Sequence, residues 1–312
     1  MSDGRKAGPV AGGRVLVTGA AGMLGSQLLL SVPGGFEAVG TDLCDAPEGA
    51  PRVGVAGVDL AERAAVEELF DRHGPFAGVV HTAAYTAVDR AESEEELALR
   101  VNEHVSRVLA AACAAAAIPM VLVGTDFVFD GRASRPYTPD DPTNPLGAYG
   151  RTKLAGENAA RETWPGGVRV VRTQWLYGPR GGHFPGTILR LAEEQNEIRV
   201  VADQLGSPTS TIELAPALWD VLSRGTDDVY HAACEGAASW YELAVACVEL
   251  AGLSERVRLK PCTTDEFPRP APRPAYSVLD CSRLTALRGR PLAPWREALE
   301  TFFAQIPERM TG

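Results

Sequence analysis

Tyr149 and Lys153 stand four residues apart in Tyr149-Gly150-Arg151-Thr152-Lys153. On a helix this spacing puts both side chains on one face, about one turn apart. A free phenol ionises near ~10, and a neighbouring ammonium favours its charged form and draws that value down. A phenol so paired is a candidate proton donor or acceptor. Of the 30 Lys and Arg residues only Lys6, Lys153 and Lys260 are lysines. Arg, planar and permanently charged, is a different chemical object. The same spacing also fits an exposed helix on which Tyr packs and Lys is solvated, so the pair needs its context. Thr125-Asp126-Phe127 lies roughly two dozen residues upstream.

The elements that must position these residues begin with 14–18, a short aliphatic and β-branched run of the kind that makes a buried parallel strand. It runs into Thr18-Gly19-Ala20-Ala21-Gly22-Met23-Leu24-Gly25, followed by an apolar helix over about 24–30. Glycines in such a turn let it close tightly and let backbone amides approach a pyrophosphate, while the helix N-terminus adds partial positive charge. The stretch predicts a dinucleotide site at Gly19, Ala21, Gly22, Met23, Leu24 and Gly25. The other reading is a turn used for packing only. A strand over 36–40 leads to Asp42, an acid that can accept hydrogen bonds from an adenosine ribose and repel a 2′-phosphate, or that merely ends the strand. No Arg or Lys follows it directly, so charge favours NADH over NADPH. Asp59 and Leu60 precede a helix over 62–72, where Asp59 either caps the helix or lies beside the adenine.

The strand over 78–81 ends in His81, read as a satisfied strand-end histidine rather than a catalyst. Thr82-Ala83-Ala84-Tyr85 follows, with small residues against which a ribose or flat ring can lie. Residues 88–96 read as a solvated acidic helix face. Residues 97–117 read as one long Ala-rich helix, with Asn102 either exposed or supporting a site through water. The strand over 120–124 brings Thr125 and Asp126 to its carboxyl end, the edge where ligands bind in open parallel sheets. A further strand over 168–173 ends in Gln174-Trp175. This alternation predicts the fold class: α/β, a doubly wound parallel sheet of Rossmann type.

Beyond Gly178 the regularity falls. Helical patterns cover 185–196, 211–223, 240–251 and 294–303; 198–201 is strand-like, 229–232 can return to the sheet, and the proline-rich 261–274 is excluded from regular structure. The expected organisation is a flexible lead over 1–13, a dinucleotide-binding domain over 14–178, and a mainly substrate-binding lobe over 179–312. A net charge of -10 argues against a dedicated nucleic-acid binder. No apolar run is long enough for a signal or a membrane span, and six Cys without a CxxC pair read as free thiols in a reducing compartment. The expectation is a cytoplasmic protein with no nucleic-acid or membrane partner and no metal-ligating site residues, an Mg²⁺ between subunits being left open.

Together these pieces resemble the extended short-chain dehydrogenase/reductase superfamily, and more narrowly the dTDP-4-dehydrorhamnose reductases and related nucleotide-sugar 4-ketoreductases. The carriers are 18–25, Ala83-Ala-Tyr-Thr-Ala-Val-Asp89, Thr125-Asp-Phe-Val-Phe-Asp-Gly131, Asp140-Asp-Pro-Thr-Asn-Pro-Leu146 and Tyr149-Gly-Arg-Thr-Lys-Leu-Ala-Gly-Glu157. Arg172-Thr-Gln-Trp-Leu-Tyr-Gly178, Asp203-Gln-Leu-Gly-Ser-Pro-Thr209 and the run from Arg273-Pro to Asp280 complete them. The resemblance implies NADP(H) or NAD(H) and a dTDP-sugar reduced at its C4 ketone, with a homodimer left open. It implies Tyr149 as proton donor, Lys153 lowering the phenol's pKa and holding the nicotinamide ribose, and Thr125 bonding the same oxygen. Gly19, Gly22 and Gly25 fall to the pyrophosphate, and Asp42, Asp59, Leu60, Ala83, Ala84 and Tyr85 to the adenosine and riboses. Asp126, Phe127 and Trp175 fall to the sugar, although Phe127 and Trp175 read equally well as core residues.

Three positions depart from the family's habit. Phe127 stands where Tyr is usual, His81-Thr82-Ala83 where Asn-Ala-Ala is usual, and Tyr276 where a smaller polar residue is common. They bear on the sugar's stereochemistry more than on the reaction type. A 4,6-dehydratase of the superfamily needs an Asp-Glu pair after its Thr, and here Asp126 is followed by Phe127. The remaining alternatives are an epimerase and a non-catalytic subunit resembling the regulatory subunit of methionine adenosyltransferase. Intact Thr125, Tyr149 and Lys153 favour an enzyme.

Overall fold

The computed structural model describes residues 7–305 apart from 48 and 227. Its central sheet takes strands β1 (Gly13–Thr18), β2 (Phe36–Asp42), β3 (Val55–Ala56), β4 (Gly78–His81), β5 (Met120–Thr125) and β6 (Val168–Thr173). Strand β7 (Glu197–Val201) lies outside it, and β8 (Val229–His231) returns to it. The order is β8-β6-β5-β4-β1-β2-β3, with every pairing parallel. The strands are apolar on both sides because both sides are covered. Val15 and Val17 enter one core cluster with the helix Thr211–Arg224, while Leu16 enters the other with the helices Arg63–His73 and Val105–Ala116. Successive strands run outward in both directions from the β1/β4 pair, which leaves a crevice at their carboxyl ends. A third cluster, around Ile188, Leu189, Ile198, Val200, Leu243 and Phe302, forms the core of the C-terminal lobe.

Several local expectations give way to tertiary contacts. The long helix over 97–117 is instead Glu95–Leu99, a π-helical turn Arg100–His104, and Val105–Ala116. Asn102 sits in that wide turn and is buried rather than exposed. Its Oδ1 accepts from Tyr85 N at 2.9 Å, and its Nδ2 donates to Tyr85 O at 3.2 Å and Thr152 Oγ1 at 3.0 Å. The extra residue in the turn aims this amide inward. The acidic run over 88–96 is solvated at Arg90, Glu92, Ser93 and Glu96, as expected, yet it also anchors other elements: Asp89 pairs with Arg273, Glu95 with Arg151, and Glu92 Oε1 accepts from Ala148 N at 2.8 Å. Pro261 lies within a strand, Arg258–Cys262, paired with β7 in a two-stranded sheet. Such an edge tolerates a residue that cannot donate to a second neighbour. Of the expected flexible lead, residues 1–6 lie outside the described residues, but Ala7 is buried and its carbonyl accepts from Arg169 Nη2 at 2.8 Å.

The helix Ala148–Thr163 carries Tyr149 and Lys153. Its N-cap, Gly147, has no side chain to offer, and the Glu92 carboxylate satisfies the first amide instead, where the helix dipole favours negative charge. Two glycines let the helix lie close. A Cβ on Gly150 would stand 2.2 Å from Phe127 O, and one on Gly156 would stand 2.2 Å from Asn102 O. Gly156→Ala is therefore expected to cost about 1–3 kcal/mol by overpacking against backbone. Thermal denaturation checks this, and a wild-type midpoint would show that the helix and the π turn can separate freely.

Candidate active site

Lys153 projects from this helix under β5, where its Nζ donates to Val123 O at 2.7 Å. It is almost fully buried, and so is Glu157 one turn on, which pairs with Arg172 of β6 at 2.8 Å. Tyr149 is half-buried at the mouth, with Phe127 edge-on to its ring at a centroid distance of 5.5 Å. Thr125 ends β5 beside it, accepting from Phe127 N at 3.2 Å and donating to Asp126 Oδ1 at 3.2 Å. These side chains line one end of a cleft of about 780 Å³ whose other end is the glycine turn.

Burial dominates the electrostatics. It pushes the Tyr149 phenol up to about 12, with the neighbouring Thr125 hydroxyl drawing it back in part. No lowering by Lys153 acts on the phenol here: burial is the largest influence, Asp126 and Glu157 add to it, and the ammonium is held at the Val123 carbonyl. Lys153 itself is lowered to about 8 by burial, against the opposing charge of Glu157. Asp126, 2% exposed, is raised to about 7 by burial, partly offset by the nearby hydroxyls of Ser277 and Thr125. His81 is held neutral, lowered to about 3 by burial and then by Lys153, and its Nδ1 meets Thr18 Oγ1 at 2.7 Å. It is the satisfied strand-end histidine that the sequence suggests.

The far end of the cleft fits a dinucleotide. Gly19 has φ +68°, and a Cβ there would stand 2.6 Å from Ala83 N. A Cβ on Gly25 would stand 2.0 Å from Gly19 O, so the helix Met23–Leu30 meets the strand end only because that position is bare. The bare turn and the helix N-terminus together form a cradle for phosphates. Gly22, Met23, Leu24, Asp42, Asp59, Leu60, Ala83 and Ala84 line the same cleft.

Two residues expected at the cofactor stand elsewhere. Ala21 N donates to Asp42 Oδ2 at 3.0 Å, so that amide tethers the acid rather than facing the cleft. Tyr85 turns its hydroxyl to Glu94 and is not among the lining residues. Asp59 does not cap the following helix, whose N-cap is Glu62. It accepts from Ala61 N at 2.9 Å and from Arg100 at 3.1 Å. On the sugar side, Asp126, Phe127 and Trp175 all line the cleft.

Trp175 is held at φ +48°, unusual for a bulky side chain. Its indole stacks on Trp240 at 3.6 Å and 9°. Trp240 was legible only as the start of a helix, and Gln174 and Arg273 only as parts of quoted motifs, yet all three line the cleft. Arg273 grips both oxygens of Asp89 at 2.9 and 3.1 Å, which ties the proline-rich segment to the sheet domain.

The chain is similar to known proteins over most of its length. A family model described as the RmlD substrate binding domain matches residues 13–307. The chain is 42% identical over 299 residues to a dTDP-4-dehydrorhamnose reductase of Streptomyces griseus, covering 94% of each. It is 37% identical to a dTDP-4-keto-6-deoxy-D-glucose reductase of Streptomyces niveus, covering 93% of this chain and 96% of that one. A dTDP-4-dehydrorhamnose reductase of Bacillus anthracis, solved with NADP, superposes with a TM-score of 0.85 at 32% identity, covering 94% of this chain and 99% of the other.

Asp126 yields a stability prediction. Its folded pKa lies above its ordinary value, so the folded chain keeps a proton that the unfolded chain releases, and stability falls as pH rises from about 4 toward about 7. Asp126→Asn is expected to melt within a degree or so of wild type near pH 4.5 and at least about 3 °C higher at pH 8. A melting difference that does not change with pH would contradict this burial cost.

Proposed function

The chain belongs to the RmlD substrate-binding-domain family, and we propose that it is an NAD(P)H-dependent reductase of the C4 ketone of a dTDP-4-keto-6-deoxyhexose. The observation that carries this reading is the convergence of Thr125, Tyr149 and Lys153 at one end of a cleft whose other end is a bare glycine turn.

Bound NAD(P)H would supply the hydride that reduces the carbonyl. The chain's own residues would do the rest. Gly19, Gly22 and Gly25 would admit the pyrophosphate, and Asp42 and Asp59 would lie at the adenosine end. Lys153, still mostly charged at neutral pH, would direct its remaining N–H donors toward the nicotinamide ribose. Tyr149 keeps its proton at neutral pH, as a free phenol does, and burial disfavours the phenolate further. A neutral phenol is the form that can protonate an alkoxide as it develops, and Thr125 bonded beside it would stabilise the same oxygen. Phe127 and Trp175 would wall the sugar. Phe184, Trp240 and Arg273, all from the C-terminal part, line this side of the cleft, which supports reading that part as substrate-binding. A cytoplasmic enzyme would fit the free cysteines, and no helix among the described residues is long and apolar enough to cross a membrane.

The test mixes the purified protein with NADH or NADPH and freshly made dTDP-4-keto-6-deoxyglucose and follows nicotinamide absorbance. Oxidation is expected. Its absence, with the 3,5-epimerised keto-sugar also supplied, would reject the reading. Tyr149→Phe should lower kcat by about 10²–10⁴-fold while cofactor affinity stays near wild type; undiminished turnover would remove Tyr149 as the proton donor. Asp42→Arg should shift the NADPH-to-NADH preference roughly tenfold or more toward NADPH, and an unchanged ratio would place Asp42 away from the ribose.

A further inference from the structure

Three buried polar atoms without a hydrogen-bond partner belong to residues lining the one cleft: Asp126 Oδ2, Thr173 Oγ1 and Gln174 Nε2. Native interiors seldom leave such groups unmatched. Gln174 is 2% exposed, and Ser277 Oγ donates to its amide oxygen at 3.1 Å. That bond fixes the direction of the amide and leaves its N–H groups over. The backbone pins it further, since a Cβ on Gly206 would stand 2.8 Å from Gln174 Oε1 and 2.5 Å from the Trp175 ring. Asp126 and Gln174 directly follow the paired residues Thr125 and Thr173 on neighbouring strands, and Thr125 takes Asp126 Oδ1, so the unmatched donor of Gln174 and the unmatched acceptor of Asp126 belong to adjacent strand ends.

We propose that Gln174 is a specificity-determining residue that, with Asp126, reads one ring hydroxyl of the sugar. The amide N–H donates to the hydroxyl oxygen, and the hydroxyl proton goes to Asp126 Oδ2. A hydroxyl is the group that accepts and donates through a single atom, so it satisfies both partners at once. A sugar lacking it leaves two buried polar groups unmatched, which is how a site built for a hydroxyl rejects a deoxy analogue. The inference rests on the proposed reductase reading and adds to it the class of sugar preferred: one that keeps its ring hydroxyls.

The experiment measures kcat/KM of the wild-type protein on dTDP-4-keto-6-deoxyglucose and on its 2-deoxy and 3-deoxy counterparts. It then repeats the series with Gln174→Met, which removes the amide, and Gln174→Glu, which keeps an oxygen for Ser277 but removes the donor. Wild type is expected to disfavour one deoxy analogue by about 10- to 100-fold. Both variants should lose a similar factor on the hydroxylated sugar and little on that analogue, while NADH affinity by fluorescence stays unchanged. Equal use of all three sugars by wild type, or an equal loss on all three in the variants, overturns the proposal while leaving the reductase reading intact. Failure of wild type to reduce any of them overturns both.

Discussion

Three charges lie buried side by side beneath the cleft: Lys153, Glu157 and Arg172. Any one of them alone in that interior would be prohibitive. Glu157 answers Arg172 at 2.8 Å, which leaves Lys153 as the net positive charge. Buried ion pairs often add little net stability over apolar packing, and what this one does visibly is hold position. It fixes the helix Ala148–Thr163 to β6, the Lys153–Val123 bond fixes it to β5, and the bare Gly156 lets it seat on the Asn102 turn. Tyr149, one turn before Lys153, has its place set by those three attachments.

The same burial decides which groups carry protons. Desolvation raises Tyr149 and Asp126 and lowers Lys153 and His81, all in the direction of the neutral form. The outcome is a phenol that keeps its proton, beside an ammonium that titrates close to the working range. That is the arrangement a reduction requires, because the product oxygen must receive a proton as it gains charge. Asp126 stands between states, and it faces the side of the cleft where the sugar is proposed to lie.

Much of this was legible in the sequence, because the strands and the glycine turn depend on local pattern. The run over 14–18, the turn to Gly25 and the alternation through 173 predict a sheet whose carboxyl edge holds Thr125. Tyr149 and Lys153 share a helix face simply because they are four apart. What stayed hidden depends on contacts distant in sequence. Asn102 looks like a surface residue until Tyr85 and Thr152 are seen to claim its amide. The acidic run over 88–96 is solvated as its composition suggests, but its contacts to Ala148 and Arg273 come from far along the chain. Tyr85 lies in a cofactor-like stretch, and only the nearby Glu94 shows that it turns away. Trp240 comes beside Trp175 only through the folding of the C-terminal lobe, and no local pattern announces that stack.

The central claim is that this cleft delivers a hydride to C4 of a sugar nucleotide while Tyr149 supplies the proton. The most direct measurement uses NADH or NADPH deuterated at the transferred position, with dTDP-4-keto-6-deoxyglucose, and reads the product by NMR. One deuterium is expected, bound to carbon at C4 of the sugar, with a single configuration there. Deuterium at any other carbon, or reduced product whose C4 hydrogen comes from solvent, would contradict it.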